Sequence, residues 1–246
     1  MSGGRLQGSA TPPLLQRPMN GLGMVLGLQP RPVVPELPRP PPALAAPPGR
    51  AAVLVDKDGT LIENVPYNVD PALLRFMPAA VQSLAALAAA GFVILVVTNQ
   101  SGLAHGYFTR AQLALLQTVL QQRLRELAGV ELLDFIVCPH APGPGGTPAC
   151  LCRKPAPGML LRAARRHRLD LARSWMVGDT LDDVEAGHRA GCRTVLFDSG
   201  GETLWRRSPL RRPTATCTEW DEVAHRILFH RDSAAAQDRA PALRRP

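Results

Sequence analysis

Short apolar runs alternate with helical segments along the middle of this chain, and this alternation restricts its fold more than any other feature. We predict strands at residues 51–55, 92–98, 134–138, 174–178 and 193–198, and helices at 78–90, 109–128, 157–168 and 182–190. Apolar strands that are separated by helices are typical of βαβ units. The sequence therefore predicts an α/β fold with a mostly parallel sheet that is covered by helices on both faces.

The two ends of the chain differ in composition from the middle. Twelve of the 25 prolines lie in residues 1–50, which show no apolar periodicity and are predicted to form a disordered Pro-rich leader. The regular pattern stops after residue 204, and residues 205–246 are predicted to hold one more helix at 218–231 and a basic tail. The predicted core domain therefore spans residues 51–204.

The formal net charge of +8 belongs to the ends rather than to the core. Residues 51–204 hold 14 Lys or Arg and 14 Asp or Glu, whereas each end carries four surplus positive charges. A neutral core without interleaved basic and aromatic residues disfavours a nucleic acid as the main partner. No stretch reaches the length of a membrane-spanning helix, and the cysteines do not resemble a secreted disulfide framework. We therefore expect a cytoplasmic monomer without a membrane partner.

The first predicted strand runs directly into Asp56-Lys57-Asp58-Gly59-Thr60, so two carboxylates follow its C-terminal end. This edge of a parallel sheet is where α/β proteins bind their ligands. One carboxylate of such a pair can attack phosphorus while the other handles the proton of the leaving group. A surface turn of the same composition is common, so the interpretation depends on the other strand ends.

Three further segments, most of them at strand ends, carry groups that fit the same chemistry. The stretch Thr98-Asn99-Gln100-Ser101-Gly102 offers hydrogen-bond donors for phosphoryl oxygens. Lys154, one of only two lysines among 28 basic residues, suits the neutralisation of a carboxylate and a phosphate held close together. Asp179 begins an acidic stretch that suits Mg²⁺, although Asp182 or Asp183 can equally cap the following helix.

Four potential metal ligands flank one loop that is rich in proline and glycine. They are Cys138, His140, Cys150 and Cys152. Three thiolates and one imidazole match a closed, tetrahedral structural zinc site. The sequence therefore predicts a structural Zn²⁺ directly before Arg153 and Lys154.

In this order the four motifs resemble those of the haloacid dehalogenase (HAD) superfamily of phosphatases, over residues 51–204. Within the superfamily the sequence is similar to the D-glycero-D-manno-heptose 1,7-bisphosphate phosphatases and the histidinol-phosphate phosphatases. The former carry the same Cys-x-His and Cys-x-Cys pairs directly before Arg-Lys-Pro. The resemblance implies a HAD-like, Rossmannoid sheet without a cap domain, an open active site, and a zinc-binding loop that shapes its substrate side.

The resemblance also implies roles for individual residues. Asp56 is expected to form an aspartyl-phosphate, and Asp58 to act first as general acid and then as general base. Mg²⁺ is expected to bind Asp56, the backbone carbonyl of Asp58, and Asp179. Phosphoryl oxygens are expected to be held by Thr98 or Asn99 and by Lys154. The residues expected on the substrate side are Asn64, Tyr67, Asn99, Gln100, Ser101 and Arg153.

Three positions depart from the heptose bisphosphate phosphatases. Thr180 stands where that family carries a lysine, and His105 and Tyr107 stand where basic residues are more frequent. We expect hydrolysis of the 7-phosphate of D-glycero-D-manno-heptose 1,7-bisphosphate, but the missing cations leave the second phosphate open. The alternatives are histidinol phosphate or another small phosphomonoester, then the 3′-phosphate of a nucleic acid, and lastly a non-catalytic zinc-loop interaction module.

Overall fold

The computed structural model describes residues 49–146, 150–201 and 206–239. Within them six strands form one sheet whose neighbouring strands all run parallel, in the order β3-β2-β1-β4-β5-β6. The strands are β1 Ala52–Val55, β2 Val93–Asn99, β3 Leu132–Cys138, β4 Trp175–Gly178, β5 Arg193–Phe197 and β6 Ala215–Cys217. Because the strand order reverses at β1, the switch point where α/β proteins bind ligands lies between β1 and β4.

Helices cover both faces of this sheet, as the sequence predicts. They are α1 Ala80–Ala89, α2 Gly102–His105, α3 Arg110–Ala128, α4 Gly158–His167, α5 Leu181–Ala190 and α6 Trp220–Arg239. Val53 and Val55 of β1 pack in one core cluster with residues of α1, α3 and α6. Ala52 and Leu54 point to the opposite face and pack with residues of α4 and α5. All four β1 residues are buried, which explains why this strand is apolar throughout.

Local capping sets the helix boundaries. The Thr109 hydroxyl accepts from the backbone N–H of Gln112 at 3.2 Å, and the Gln112 side chain accepts from the backbone N–H of Thr109 at 2.9 Å. These two contacts form a capping box at the start of α3, and Gly129 ends the helix in the left-handed conformation. Thr180 and Asp183 form a second capping box at the start of α5.

The structure differs from the sequence-based expectation at three elements. Helix α2 and the edge strand β6 were not predicted, because four and three residues are too short to show a periodic pattern. Strand β6 is held by pairing with β5, for example at Leu196 and Thr216. Helix α6 continues to Arg239, whereas the sequence predicts an end at residue 231. Most of the predicted leader and residues 240–246 lie outside the described part of the chain.

The two longest connections in the core contain no further domain within the residues that the structure describes. Residues 56–79, between β1 and α1, form two single-residue bridges, Asp58 with Ile62 and Ile62 with Phe76. The connection from β3 to α4 carries the cysteine-rich loop, apart from residues 147–149, which are not described. The edge of the sheet that carries Asp56 is therefore left without a cap. Among the described residues, no helix is both long and apolar enough to cross a membrane.

Candidate active site

Asp56 lies at the C-terminal end of β1, beside the end of β4. Its backbone N–H donates to the carbonyl of Val177 at 2.9 Å, which extends the pairing of the two strands by one step. Its Oδ1 accepts from the backbone N–H of Lys57 at 2.7 Å and pairs with Nζ of Lys154 at 2.8 Å. Two donors therefore fix one oxygen of this carboxylate, whose side chain is 13% exposed.

Lys154 is the cation at the centre of the site. Its side chain is 2% exposed, and Nζ contacts Asp56 Oδ1 at 2.8 Å, Asp183 Oδ1 at 2.6 Å and the carbonyl of Val97 at 2.9 Å. Burial acts to lower the pKa of this ammonium group, but the carboxylates of Asp183 and Asp56 outweigh it and raise the pKa. Lys154 therefore remains charged at neutral pH.

The backbone of Lys154 is held by the side chain of Asn99. The amide of Asn99 accepts from the Lys154 N–H at 3.1 Å and donates to the Lys154 carbonyl at 3.3 Å. This paired contact joins the end of β2 to the segment that follows the cysteine-rich loop. Asn99 is therefore brought to the predicted site, but its side chain already bonds the backbone of Lys154.

Three carboxylates converge beside Lys154, from Asp56, Asp179 and Asp183. Their candidate ligand oxygens all lie within 4.8 Å of one another. Asp179 accepts from the hydroxyl of Thr60 at 3.1 Å, and Asp183 is placed by its capping contact with Thr180. Carboxylate oxygens gathered so closely are the kind of ligand that Mg²⁺ prefers. The predicted acids Asp56 and Asp179 are thus brought together, and Asp183 joins them.

Electrostatics at this cluster also indicate a place for a cation. Burial, followed by the charges of nearby carboxylates, raises the pKa of Asp179 to about 8. Burial likewise raises the pKa of Asp56 to about 6, although Lys154 opposes the shift. Carboxylates crowded in this way are costly to ionise together without a further positive charge. The residues present therefore fit a divalent cation.

Two glycines allow the acids to approach one another. A Cβ atom on Gly59, which has φ +77°, would lie 2.2 Å from Oδ2 of Asp179. A Cβ atom on Gly178 would lie 2.3 Å from Cβ and Cγ of Asp183. Any side chain at either position would displace a carboxylate of the cluster, so the glycines belong to the geometry of the site.

Asp58 is not a member of the acid cluster and lines an adjoining cleft. The cleft has a volume of ≈ 300 Å³ and is lined by Asp58, Asn64, Pro66, Tyr67, Asn68, Asn99, Gln100, Ser101 and Gly102. It therefore brings together five of the six residues that were predicted on the substrate side. Tyr67 has φ 54°, is 53% exposed, and makes an edge-on ring contact with Tyr107, with 4.7 Å between ring centroids.

Thr98 does not line this cleft, whereas Gln100 lines it but is only 5% exposed. Thr98 is 1% exposed, and its hydroxyl accepts from Nε2 of Gln100 at 2.9 Å. The same Nε2 donates to Oδ2 of Asp58 at 2.8 Å. The Thr98 hydroxyl therefore already has a protein partner. Its predicted contact with a phosphoryl oxygen stays a prediction.

The four predicted zinc ligands meet at the end of β3. Neighbouring ligand atoms are 3.2 to 3.7 Å apart, with Cys138 Sγ 3.7 Å from Cys150 Sγ and His140 Nδ1 3.2 Å from Cys152 Sγ. A tetrahedral zinc ion with Zn–S bonds of about 2.3 Å holds its sulfurs about 3.8 Å apart. The cluster therefore fits a closed Cys₃His zinc site.

Neighbouring backbone groups support this cluster and link it to the active site. The N–H of Arg153 donates to Sγ of Cys150 at 3.2 Å, and the guanidinium of Arg153 donates to the carbonyl of His140 at 3.2 Å. Burial opposes ionisation of Cys150, but the Arg153 N–H and the neighbouring thiols outweigh it, so the pKa of Cys150 falls to about 7. Because Lys154 follows Arg153, the loop that gathers the thiols also positions the central lysine.

The sequence analysis gave no individual role to two residues of the site, Lys57 and Thr60. Lys57 is 0% exposed, and its Nζ pairs with Oδ1 of Asp58 at 2.8 Å. A usable signal existed, since Lys57 and Lys154 are the only lysines of the chain. For Asp183 the sequence left open a place in the acidic stretch that suits Mg²⁺ or a helix cap, and it is both a cap and a member of the acid cluster.

Comparison with known proteins agrees with this geometry. A family model described as HAD-hydrolase-like matches residues 151–222. The chain is 32% identical over 180 residues to the D-glycero-beta-D-manno-heptose-1,7-bisphosphate 7-phosphatase of Pseudomonas aeruginosa, covering 73% of this chain and 98% of that protein. The chain belongs to the HAD-like heptose bisphosphate phosphatase family. It is a phosphatase, and the predicted enzyme class is confirmed.

Further relatives of this phosphatase carry the same name. The Bordetella bronchiseptica 7-phosphatase is 35% identical over 178 residues, with 72% of this chain and 97% of that protein covered. The crystal structure of the D,D-heptose 1,7-bisphosphate phosphatase from B. bronchiseptica, complexed with magnesium and phosphate, matches with a TM-score of 0.64 at 33% identity. The match covers 73% of this chain and 99% of that one. The HAD-like fold predicted from the sequence is therefore confirmed.

Proposed function

We propose that this phosphatase removes the 7-phosphate of D-glycero-D-manno-heptose 1,7-bisphosphate. The observation that carries the proposal is the match to proteins named for this activity over 97–98% of their length. The relatives include proteins named for the beta anomer and for the alpha anomer, so the proposal covers both. The uncapped cleft beside Asp58 is consistent with a small phosphorylated sugar as substrate.

The reaction would proceed by two displacements at phosphorus. Asp56 would attack the 7-phosphate through the oxygen that Lys154 and the Lys57 N–H do not hold, and form an aspartyl-phosphate. Asp58 would protonate the departing sugar oxygen from its position in the cleft. The same carboxylate would then take a proton from the water that hydrolyses the aspartyl-phosphate.

Mg²⁺ would be held by Asp56, Asp179 and Asp183, together with the backbone carbonyl of Asp58. When bound, Mg²⁺ supplies positive charge between the nucleophilic carboxylate and the phosphate, which lowers their repulsion. The magnesium and phosphate in the B. bronchiseptica structure support this assignment. Lys154 would hold a phosphoryl oxygen, and Asn99 would keep the lysine in place through its backbone.

A structural Zn²⁺ would be held by Cys138, His140, Cys150 and Cys152. We also propose a cytoplasmic location, which is supported by the five described cysteines all being free thiols. The proposed domain limits are those of the sequence analysis, with residues 51–204 as the phosphatase domain. Helix α6 lies beyond this limit, yet Trp220 donates to the carbonyl of Thr60 at 2.8 Å, so the fold also depends on it.

A second candidate substrate class is a small monophosphate such as histidinol phosphate. The observation in its favour is that three positions near the site lack a cation. The Thr180 hydroxyl donates to Asp183 at 2.6 Å, and His105 and Tyr107 form an aromatic contact with 5.4 Å between ring centroids. None of the three is a lysine or an arginine, the residues that most often bind a phosphate group.

The test is phosphate release with Mg²⁺ from both anomers of heptose 1,7-bisphosphate, histidinol phosphate and a 3′-phosphorylated oligonucleotide. We expect kcat/KM to be highest for one of the heptose bisphosphates. A higher value for histidinol phosphate would transfer the assignment to the small monophosphates, and a higher value for the oligonucleotide would overturn both.

A variant of the nucleophile tests the mechanism with the best substrate. Asp56→Asn is expected to abolish turnover without unfolding the chain, because the amide keeps the shape of the side chain but cannot displace the leaving group. Asp182→Asn is the matched control, since Asp182 lies at the same end of the sheet and pairs with Arg211 instead. Turnover by Asp56→Asn at the wild-type rate would refute the mechanism.

A further inference from the structure

An ammonium group and an amide hold the carboxylate of Asp58, the first by an ion pair and the second by a hydrogen bond. Nζ of Lys57 lies 2.8 Å from Oδ1, and Nε2 of Gln100 lies 2.8 Å from Oδ2. We propose that Lys57 and Gln100 form a clamp that positions Asp58 towards the leaving group. Both are positioning residues, since they act through Asp58. The proposal rests on the proposed function only in giving Asp58 the part of general acid.

Lys57 connects the two catalytic carboxylates through one residue. Its backbone N–H donates to Asp56 Oδ1 at 2.7 Å while its ammonium group, 0% exposed, pairs with Asp58. A buried ammonium group has few other partners, because water does not reach it. Its contact with Asp58 is therefore specific, and it fixes the distance between nucleophile and acid.

Gln100 is fixed at both its backbone and its side chain. Its backbone N–H donates to the carbonyl of Cys138 at 2.8 Å, which joins the ends of β2 and β3. Its Nε2 has two hydrogens, and these are directed to Asp58 Oδ2 and to Thr98 Oγ1. No hydrogen of this group remains for the substrate, so this amide group orients Asp58, and the predicted contact of Gln100 with the substrate stays a prediction.

Orientation matters here because Asp58 lies at the edge of an open cleft. Its side chain is 29% exposed, so without the clamp it could turn into solvent. A general acid has to stay within hydrogen-bond reach of the leaving oxygen, and a displacement of about 1 Å can cost about 100-fold in rate. The clamp therefore serves the step in which the alcohol departs.

The test compares two leaving groups in Gln100→Met, which keeps the size of the side chain but cannot donate. An alkyl or sugar phosphate needs a proton on its leaving oxygen, whereas p-nitrophenyl phosphate releases a stable anion and needs little help. Because kcat/KM covers the steps up to departure of the leaving group, it isolates this requirement. We expect kcat/KM to fall about 10- to 100-fold for the alkyl phosphate and less than about 3-fold for p-nitrophenyl phosphate.

Two further variants complete the test. Lys57→Met removes the paired ammonium group and is expected to show the same selective loss. Gln122→Met is the matched control, because Gln122 is exposed on α3 and its amide donates to Glu126 at 2.7 Å instead of to Asp58. It should leave the ratio of the two kcat/KM values unchanged. The free energy of unfolding of each variant is measured alongside, so that a fall in the folded fraction can be corrected.

An equal loss for both substrates in Gln100→Met would overturn the proposal, because general loosening of the site affects both leaving groups. No loss for either substrate would overturn it as well. The comparison does not depend on the identity of the sugar. If heptose bisphosphate is not hydrolysed, the proposed substrate fails, but glycerol phosphate or another alkyl phosphate that the enzyme accepts still tests the clamp.

Discussion

Gly59 directly follows Asp58 and lies against Asp179 of the acid cluster. It combines φ +77° with a contact of 2.2 Å between a hypothetical Cβ atom and Asp179 Oδ2. Gly59→Ala should therefore displace the Asp179 carboxylate, and we expect the Mg²⁺ concentration for half-maximal activity to rise about 10- to 100-fold. Titration of activity with Mg²⁺ measures the effect.

Gly129→Ala is the control for backbone strain. Gly129 has φ +63°, but an added Cβ atom would meet nothing within 4 Å. Both substitutions should destabilise the fold by about 1 to 2 kcal/mol, the cost of a left-handed residue with a side chain. Only Gly59→Ala should change the response to Mg²⁺. An equal change in both variants would mean that strain, and not the contact with Asp179, is responsible.

At the residue scale, the sequence predicts which residue types gather at the site better than it predicts their partners. Asp56, Asp179 and Lys154 were predicted there, and they lie together. The contacts of Asn99 and Gln100 could not be predicted, because an amide at a strand end can face a ligand or a neighbouring strand equally well. Which partner the amide contacts depends on the spacing of β1, β2 and β3, and a single sequence does not show this spacing.

At the element scale, the cysteine-rich loop and the segment after it behave as one unit. The loop joins β3 to α4, and Gly158, the first residue of α4, contacts it so closely that a Cβ atom there would lie 2.1 Å from the carbonyl oxygen of Leu151. Loss of zinc should therefore disturb α4 and Lys154 together. Cys150→Ser is expected to lose bound zinc, to destabilise the fold and to lower activity.

The zinc content per chain, measured by mass spectrometry of the metal, tests this prediction. Cys192→Ala is the control, because Cys192 is buried in the core cluster on the same face as α4 but is not a ligand. It should retain one zinc per chain even if it is less stable. Full zinc content in Cys150→Ser would contradict the assignment of Cys150 as a ligand.

The same scale shows which elements a sequence can reveal. Helix α3 was predicted because its periodic pattern is long, and the five strands β1 to β5 were predicted because each is an apolar run beside a helix. Strand β6 has three residues and owes its existence to β5, with further contacts between Thr214 and Thr194. Short edge elements of this kind depend on a neighbour that is distant in sequence, so local patterns do not report them.

At the scale of the whole molecule, we expect the acid cluster to make the free energy of unfolding depend on pH and on Mg²⁺. In an unfolded chain, aspartates lose their protons near pH 4, following the ordinary value of about 3.9. In the metal-free fold the pKa of Asp56 is raised to about 6 and that of Asp179 to about 8. Between these values the folded chain binds more protons than the unfolded chain, so the free energy of unfolding falls as pH rises.

We therefore expect the Mg²⁺-free protein to lose stability as pH rises from about 4 to about 8, by up to about 1.4 kcal/mol for each unit of pKa shift. Urea denaturation at several pH values, in Mg²⁺-free buffer without a zinc chelator, measures this loss. Saturating Mg²⁺ should remove most of it, because the cation replaces the protons that the acids would otherwise retain. Asp179→Asn removes the more strongly shifted carboxyl and should flatten the Mg²⁺-free curve above pH 6. A curve for Asp179→Asn as steep as that of the wild type would show that the crowded acids at the end of β1 and β4 do not govern the stability of the fold.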